Sequence, residues 1–190
     1  MREEKSKIGK LEKSVKNILL LCAALGLLFC AGLFLWFISG TGIPKEASIL
    51  QNFQAHQAVF EQLRDMLQTD EGLRRVASWG VETRDGIFSP PDGHFPAERF
   101  AKYLALLKEA HLKGAYRVDG AHPSVGMLVW TSGFGGDSVH INICWEKDPP
   151  SRQISSFDAF LRDHKSTGTT GWVNQHLDGN WYLSTDLQTE

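Results

Sequence analysis

The longest uninterrupted apolar run in the chain covers residues 18–38 and reads ILLLCAALGLLFCAGLFLWFI, without a charged, amide or hydroxyl side chain. At about 1.5 Å of rise per residue, a helix of that length reaches roughly 30 Å, the hydrocarbon thickness of a bilayer. A helix in a soluble core keeps a polar face and this run has none, so the pattern predicts a transmembrane helix over 18–39. Its membrane-spanning residues include Ile18, Leu19, Leu20, Gly26, Leu27, Leu28, Leu35, Trp36 and Ile38. The run is too long for the core of a cleaved secretory signal. Phe29 before Cys30 and Leu21 before Cys22 make poor acylation sites, which leaves an uncleaved signal anchor as the expectation.

Beyond a short glycine and proline linker over 40–46, the period becomes that of an amphipathic helix. Leu50, Phe53, Phe60, Leu63 and Leu67 form one stripe from Ala47 onward, while Gln51, Gln54, Glu61, Arg64 and Asp65 occupy other faces. Thr69 or Asp70 is placed to cap a further short turn through Leu73 and Val76, and 79–82 reads as a strand. The Pro90-Pro91-Asp92-Gly93 stretch is loop. Pro96 opens a second helix whose stripe is Phe100, Tyr103, Leu104, Leu107 and Ala110, with Gly114 to end it.

The period then drops to two. Residues 115–118 form a strand; Val125, Met127, Val129 and Thr131 alternate with the residues between them, as do Val139, Ile141, Ile143 and Trp145. A glycine loop over 132–137 suits a hairpin between these two runs, and Pro149-Pro150 stops the second. Ser155 or Ser156 caps a short helix carrying Phe157, Phe160 and Leu161. Runs at 171–177 and 181–185 flank Asp178-Gly179-Asn180, a tight-hairpin signal. The expected fold class is α+β: an N-terminal transmembrane helix, then one compact domain over 47–186 with a mainly antiparallel sheet packed by two or three helices. Residues 187–190 fray.

Charge refines this picture. The tail over 1–17 holds six basic and three acidic residues, and in a chain of net charge -2 that leaves -5 for the remainder. Basic flanks stay cytoplasmic, so the tail is expected inside and the domain outside, in the periplasm of a cell with two membranes. The lipid bilayer is then the tail's partner. A mildly acidic domain is a poor polyanion binder, so no nucleic acid is expected. Cys22, Gly26 and Cys30 stack small side chains on one helix face, which allows a homodimer.

Candidate chemistry is sparse. Cys144 is alone in the domain and reads as a small buried hydrophobe. Asp137, Ser138 and His140 contain the residue types of a hydrolase triad, but two positions along one strand is not the geometry a triad needs. Gly133, Gly135 and Gly136 lack the lysine and helix of a phosphate loop. The seven histidines show neither HxH nor HExxH spacing, so no metal and no cofactor is expected. Glu82, Asp85 and Asp92 offer a carboxylate pair only if the fold gathers them. Trp130, Trp172 and Trp181, with Phe134 in the glycine loop, are the candidates for a partner-contact or sugar-stacking face, although tryptophans of this kind more often anchor a core.

The stretch from Gly126 to Pro150, then Ser156-Phe157-Asp158 and the closing Gly179-Asn180-Trp181-Tyr182-Leu183, resembles a group of small membrane-anchored or lipid-anchored bacterial envelope proteins. The resemblance covers about the exported half of the chain, implies an envelope location, and brings no known activity. Phe29 departs from the acylation site of the lipid-anchored members. The functional expectation is an anchored envelope protein whose exported domain binds another envelope protein, as an accessory or toxin-immunity factor. The alternatives are an envelope-acting hydrolase and a self-associating structural protein.

Overall fold

The computed structural model describes residues 22, 25–32, 42–84, 88–89, 95–120, 122–134, 137–167 and 171–188. The chain divides into two compact units, Met1–Ile43 and Pro44–Glu190. In the first unit, residues 25–32 are helical and exposed, and Gly26, Leu27 and Leu28 belong to them. Among the described residues no helix is long and apolar enough to cross a membrane, which corrects the expected transmembrane signal anchor. Ile18, Leu19, Leu20, Leu35, Trp36 and Ile38 lie outside the described residues.

The second unit is α+β. Its described helices are α1 (Glu46–Ala55), α2 (Gln57–Thr69), α3 (Ala97–Glu109) and α4 (Phe157–Thr167). Its strands are β1 (Leu73–Ala77), β2 (Gly80–Thr83), β3 (Phe88–Ser89), β4 (Gly114–Val118), β5 (Ser124–Phe134), β6 (Asp137–Glu146), β7 (Gly171–Asp178) and β8 (Trp181–Gln188). They form one sheet in the order β3-β2-β1-β4-β5-β6-β8-β7, and every neighbouring pair is antiparallel.

One expected helix from Ala47 to Leu67 is two. At His56 the backbone leaves helical geometry, and its N–H donates to the carbonyls of Asn52 and Phe53. Seven residues of continuous helix would separate Phe53 from Phe60 by about 10.5 Å along the axis. The break instead brings their rings edge to face at 5.2 Å, and both meet the ring of Trp181. Leu73 and Val76 are not on a helical turn either. They are buried residues of β1, and an irregularity of register between Leu73 and Arg75 shifts the alternation, so that two inward positions fall three apart. Gly114 opens β4 rather than closing α3. His111, at φ 54, takes the left-handed position after that helix, and Leu112 N–H closes back on the Leu107 carbonyl.

Apolar residues on one face of the sheet meet the helices. Val76, Ala115, Val125, Met127, Ile141, Ile143 and Leu183 are fully buried there with Phe60, Leu63 and Leu67 of α2 and Tyr103 and Leu107 of α3. Arg117 reaches from β4 to the end of α2, where its guanidinium donates to the Leu67, Gln68 and Glu71 carbonyls. A cation at a helix C-terminus satisfies carbonyls that have no partner within the helix. Glu46 ties α1 to α4: its carboxylate accepts from the Asp158 N–H, the Ser156 hydroxyl and the Gln175 amide, while its own N–H donates to Asp158.

Candidate functional site

The opposite face of the sheet carries none of this unit's described helices and holds a hollow. Antiparallel register assembles it in rows. One row runs Arg75, Tyr116, Gly126, Cys144, Tyr182 and His176 across β1, β4, β5, β6, β8 and β7. The next runs Ala77, Gly114, Leu128, Asn142, Ser184 and Asn174 across the same strands. Because successive side chains of a strand point to opposite faces, these residues are the halves of the alternations that face away from the core. After β6, the chain passes through Pro149 and Pro150 and adds a parallel bridge at Gln153 to the outer edge of β7. There the Asn174 N–H donates to Arg152 and the Ile154 N–H to Asn174.

The result is a cavity of about 950 Å³, with Asn142, Asn174, Ser184 and Cys144 in its floor. All four are buried although none of this unit's described helices covers them, and Tyr116, Pro149, Pro150, Ser151 and Trp172 stand around them in the lining. The walls mix apolar side chains with charged ones, Arg75, Lys113, Glu146 and Asp148. Trp79 in the β1–β2 turn, Val118 at the end of β4 and Trp172 on β7 line it, and these are the exposed large hydrophobic residues among the described residues of this unit, at 58%, 45% and 49%. Elsewhere the fold hides its large apolar side chains; here it presents them around one hollow.

The floor depends on a missing side chain. The Tyr116 ring lies across Gly126, where a Cβ would stand 2.6 Å from Cε1 and closer still to Cζ and the hydroxyl. In that position the Tyr116 hydroxyl lies near Cys144, and the Ser184 hydroxyl is a second neighbour of the thiol. Burial pushes the Cys144 thiol up to about 12, the Glu146 charge adds to this, and the two hydroxyls pull the other way. The sulfur is therefore a neutral thiol and a poor nucleophile. Burial raises Tyr116 in the same way, with Cys144 reinforcing it. Glu146, on β6 opposite Ser124, is likewise raised by burial against a smaller opposing effect of His122. A half-buried carboxyl held in an unfavourable setting costs stability, and such costs concentrate at sites of function.

The residues singled out in the sequence are dispersed. Trp172 lines the cavity. Trp181, one residue out of phase with the floor, is buried on the helix side, where its indole N–H donates to Glu61 at 2.8 Å. Trp130 pairs with Ile141, also of the core face, and is half-buried. Phe134 pairs with Asp137 at the hairpin end, and its side chain lies outside those described. His140 shares a 3.0 Å hydrogen bond with Thr131 rather than meeting Ser138. Glu82 faces Arg74 and Arg75, while Asp85 and Asp92 lie outside the described residues. Among the described residues no group of three or more His, Cys, Asp or Glu is gathered as a metal would require. Trp79, Tyr116, Asn142, Asn174 and Ser184 went unnoticed in the sequence as a set, although counting every second residue outward from Cys144 along β6 and across its neighbours selects most of them.

No family model, no curated protein and no solved structure matches this chain. The chemistry of the site is read from its own residues.

Proposed function

We propose that the Pro44–Glu190 unit is a binding module whose concave sheet face takes up a small amphipathic molecule. The observation that carries this is the convergence of Trp79, Val118 and Trp172 on one cavity with a buried polar floor. Its volume lies within the roughly 300–1,000 Å³ range of small-molecule sites, and apolar walls with a few fixed polar groups are what such sites present. Each exposed indole offers on the order of 100 Å² of apolar surface, about 2.5 kcal/mol when covered. The amides of Asn142 and Asn174 and the hydroxyl of Ser184 supply the orienting hydrogen bonds. A thiol held protonated and a tyrosine held neutral favour a role in holding a ligand over attacking one.

The test is fluorescence titration of the full chain with N-phenyl-1-naphthylamine, a neutral aromatic probe. Trp79→Ala and Trp172→Ala each remove exposed surface and leave the core intact, so each is expected to weaken binding roughly tenfold with little change in stability. Titration curves identical to wild type in both variants would refute the proposal.

A further inference from the structure

A second hollow, of about 340 Å³, is lined by Arg74, Arg75, Arg84 and Arg117 together with Asp119. It shares Arg75, Tyr116 and Val118 with the large cavity, so the two adjoin along β1 and β4. Among the described residues two acids answer the four arginines. Glu82 stands 3.5 Å from Arg74 and 3.7 Å from Arg75, and Asp119 stands 3.3 Å from Arg84 and 3.0 Å from Arg117. The Glu82 contacts are longer than hydrogen bonds, so they do not consume the N–H donors of Arg74 and Arg75. Arg117 is spent on the end of α2, but the side chains of Arg74, Arg75 and Arg84 are all more than half exposed or at half.

Among the described residues the cluster thus holds four arginines against two acids, in a chain whose residues beyond the tail sum to -5. The acids that line the large cavity, Glu146 and Asp148, belong to β6 and the segment after it. In the sheet order, β6 lies two strands from β4 on the side away from β1 and β2. One end of the binding face is thus cationic, with Tyr116, Val118 and Trp79 beside it in the lining.

Resting on the binding module proposed above, we infer that its ligand is an amphipathic acid, with a carboxylate or phosphate seated against Arg75 and Arg84 and its apolar body along Tyr116, Val118 and Trp79. Arginine is suited to this, because its fork of N–H donors matches the paired oxygens of both acid groups.

Two probes with the same rings separate this inference from the reading beneath it. N-phenyl-1-naphthylamine is neutral, and 1-anilinonaphthalene-8-sulfonate adds an anionic group. The full chain is titrated with each, and the component of binding lost in Trp172→Ala is assigned to the cavity. The sulfonate is expected to bind the cavity more tightly than the neutral probe. Arg84→Gln, at an exposed position that lines only the second hollow, is expected to weaken the sulfonate roughly fivefold and to leave the neutral probe within about twofold, and Arg75→Gln, which also lines the large cavity, to weaken the sulfonate several-fold more than the neutral probe. At matched ionic strength, stronger displacement of the sulfonate by inorganic phosphate than by acetate assigns a phosphoryl group, and the reverse a carboxylate. Equal affinity for the two probes, unchanged by either arginine variant, overturns the acid while leaving the binding module standing. Loss of both probes' sensitivity to Trp172→Ala overturns the module itself.

Discussion

Gly126→Ala is the smallest change that should disturb the binding face from within. No left-handed backbone holds Gly126, so alanine is open to it; the obstacle is the Tyr116 ring lying across the position. A ring is the movable end of a side chain, and it would swing out, giving up its contact with Cys144. Exposing on the order of 100 Å² of ring costs about 2.5 kcal/mol, in line with the 1–3 kcal/mol of an overpacked core. Tyr116→Ala removes the same ring, for about 2–3 kcal/mol. If the obstacle is the ring, the two costs do not add. In the Tyr116→Ala background, Gly126→Ala should be neutral or stabilising by about 0.5 kcal/mol, because alanine restricts the unfolded chain more than glycine does. Equilibrium urea unfolding of the wild type, both single variants and the double variant measures this directly, provided the slope with denaturant is unchanged. A Gly126→Ala cost that is the same in both backgrounds, within about 0.5 kcal/mol, refutes the reasoning.

Three further outcomes follow from the polar groups. Burial pushes Glu46 upward, but the Asp158 N–H and the Gln175 and Ser156 side chains outweigh it and hold the carboxyl below its ordinary value. Its contribution is therefore complete above about pH 4.5 and lost as the pH falls through the folded value; Glu46→Gln should cost about 1 kcal/mol in urea unfolding at pH 7 and progressively less in acid. Glu146 is raised, chiefly by burial, so the sign reverses: Glu146→Gln should stabilise at pH 7, and the gain should vanish as the pH falls towards 4.5, with no gain at pH 7 counting against the buried setting. In a Cys22→Ser, Cys30→Ser background, Cys144 should react with iodoacetamide at pH 8 on the order of a thousandfold more slowly folded than in urea, as a thiol pushed up to about 12 requires, and comparable rates would contradict its burial.

Much of the sheet was legible because its signals are local. Asp178-Gly179 set the β7–β8 hairpin with Gly179 at φ 52, and the alternation around Met127 and Ile143 named the core face of β5 and β6. Pro96 marked the start of α3. What failed depended on contacts distant in sequence. The irregularity in β1 made Leu73 and Val76 imitate a helix, and pairing with β2 and β4 decided otherwise. The break at His56 arises where Phe53, Phe60 and Trp181 must meet. Hydropathy over 18–38 suggested a span that the described residues do not carry. The grouping of Trp172 with Trp181 went astray on parity alone. Positions 172 and 186 pair on the concave face, whereas Trp181 pairs with Trp145 on the other. The hollow itself is lined from six strands and the segment over 148–151, which no short window of sequence brings together.

The claim that the face opposite the helices binds a ligand is tested most directly by locating a bound probe. Isotope-filtered nuclear Overhauser spectra of the labelled chain with N-phenyl-1-naphthylamine should connect the probe's rings to Trp79, Val118, Leu128 and Trp172. Contacts confined to the helices or to residues 18–38, with none to those four, would contradict it.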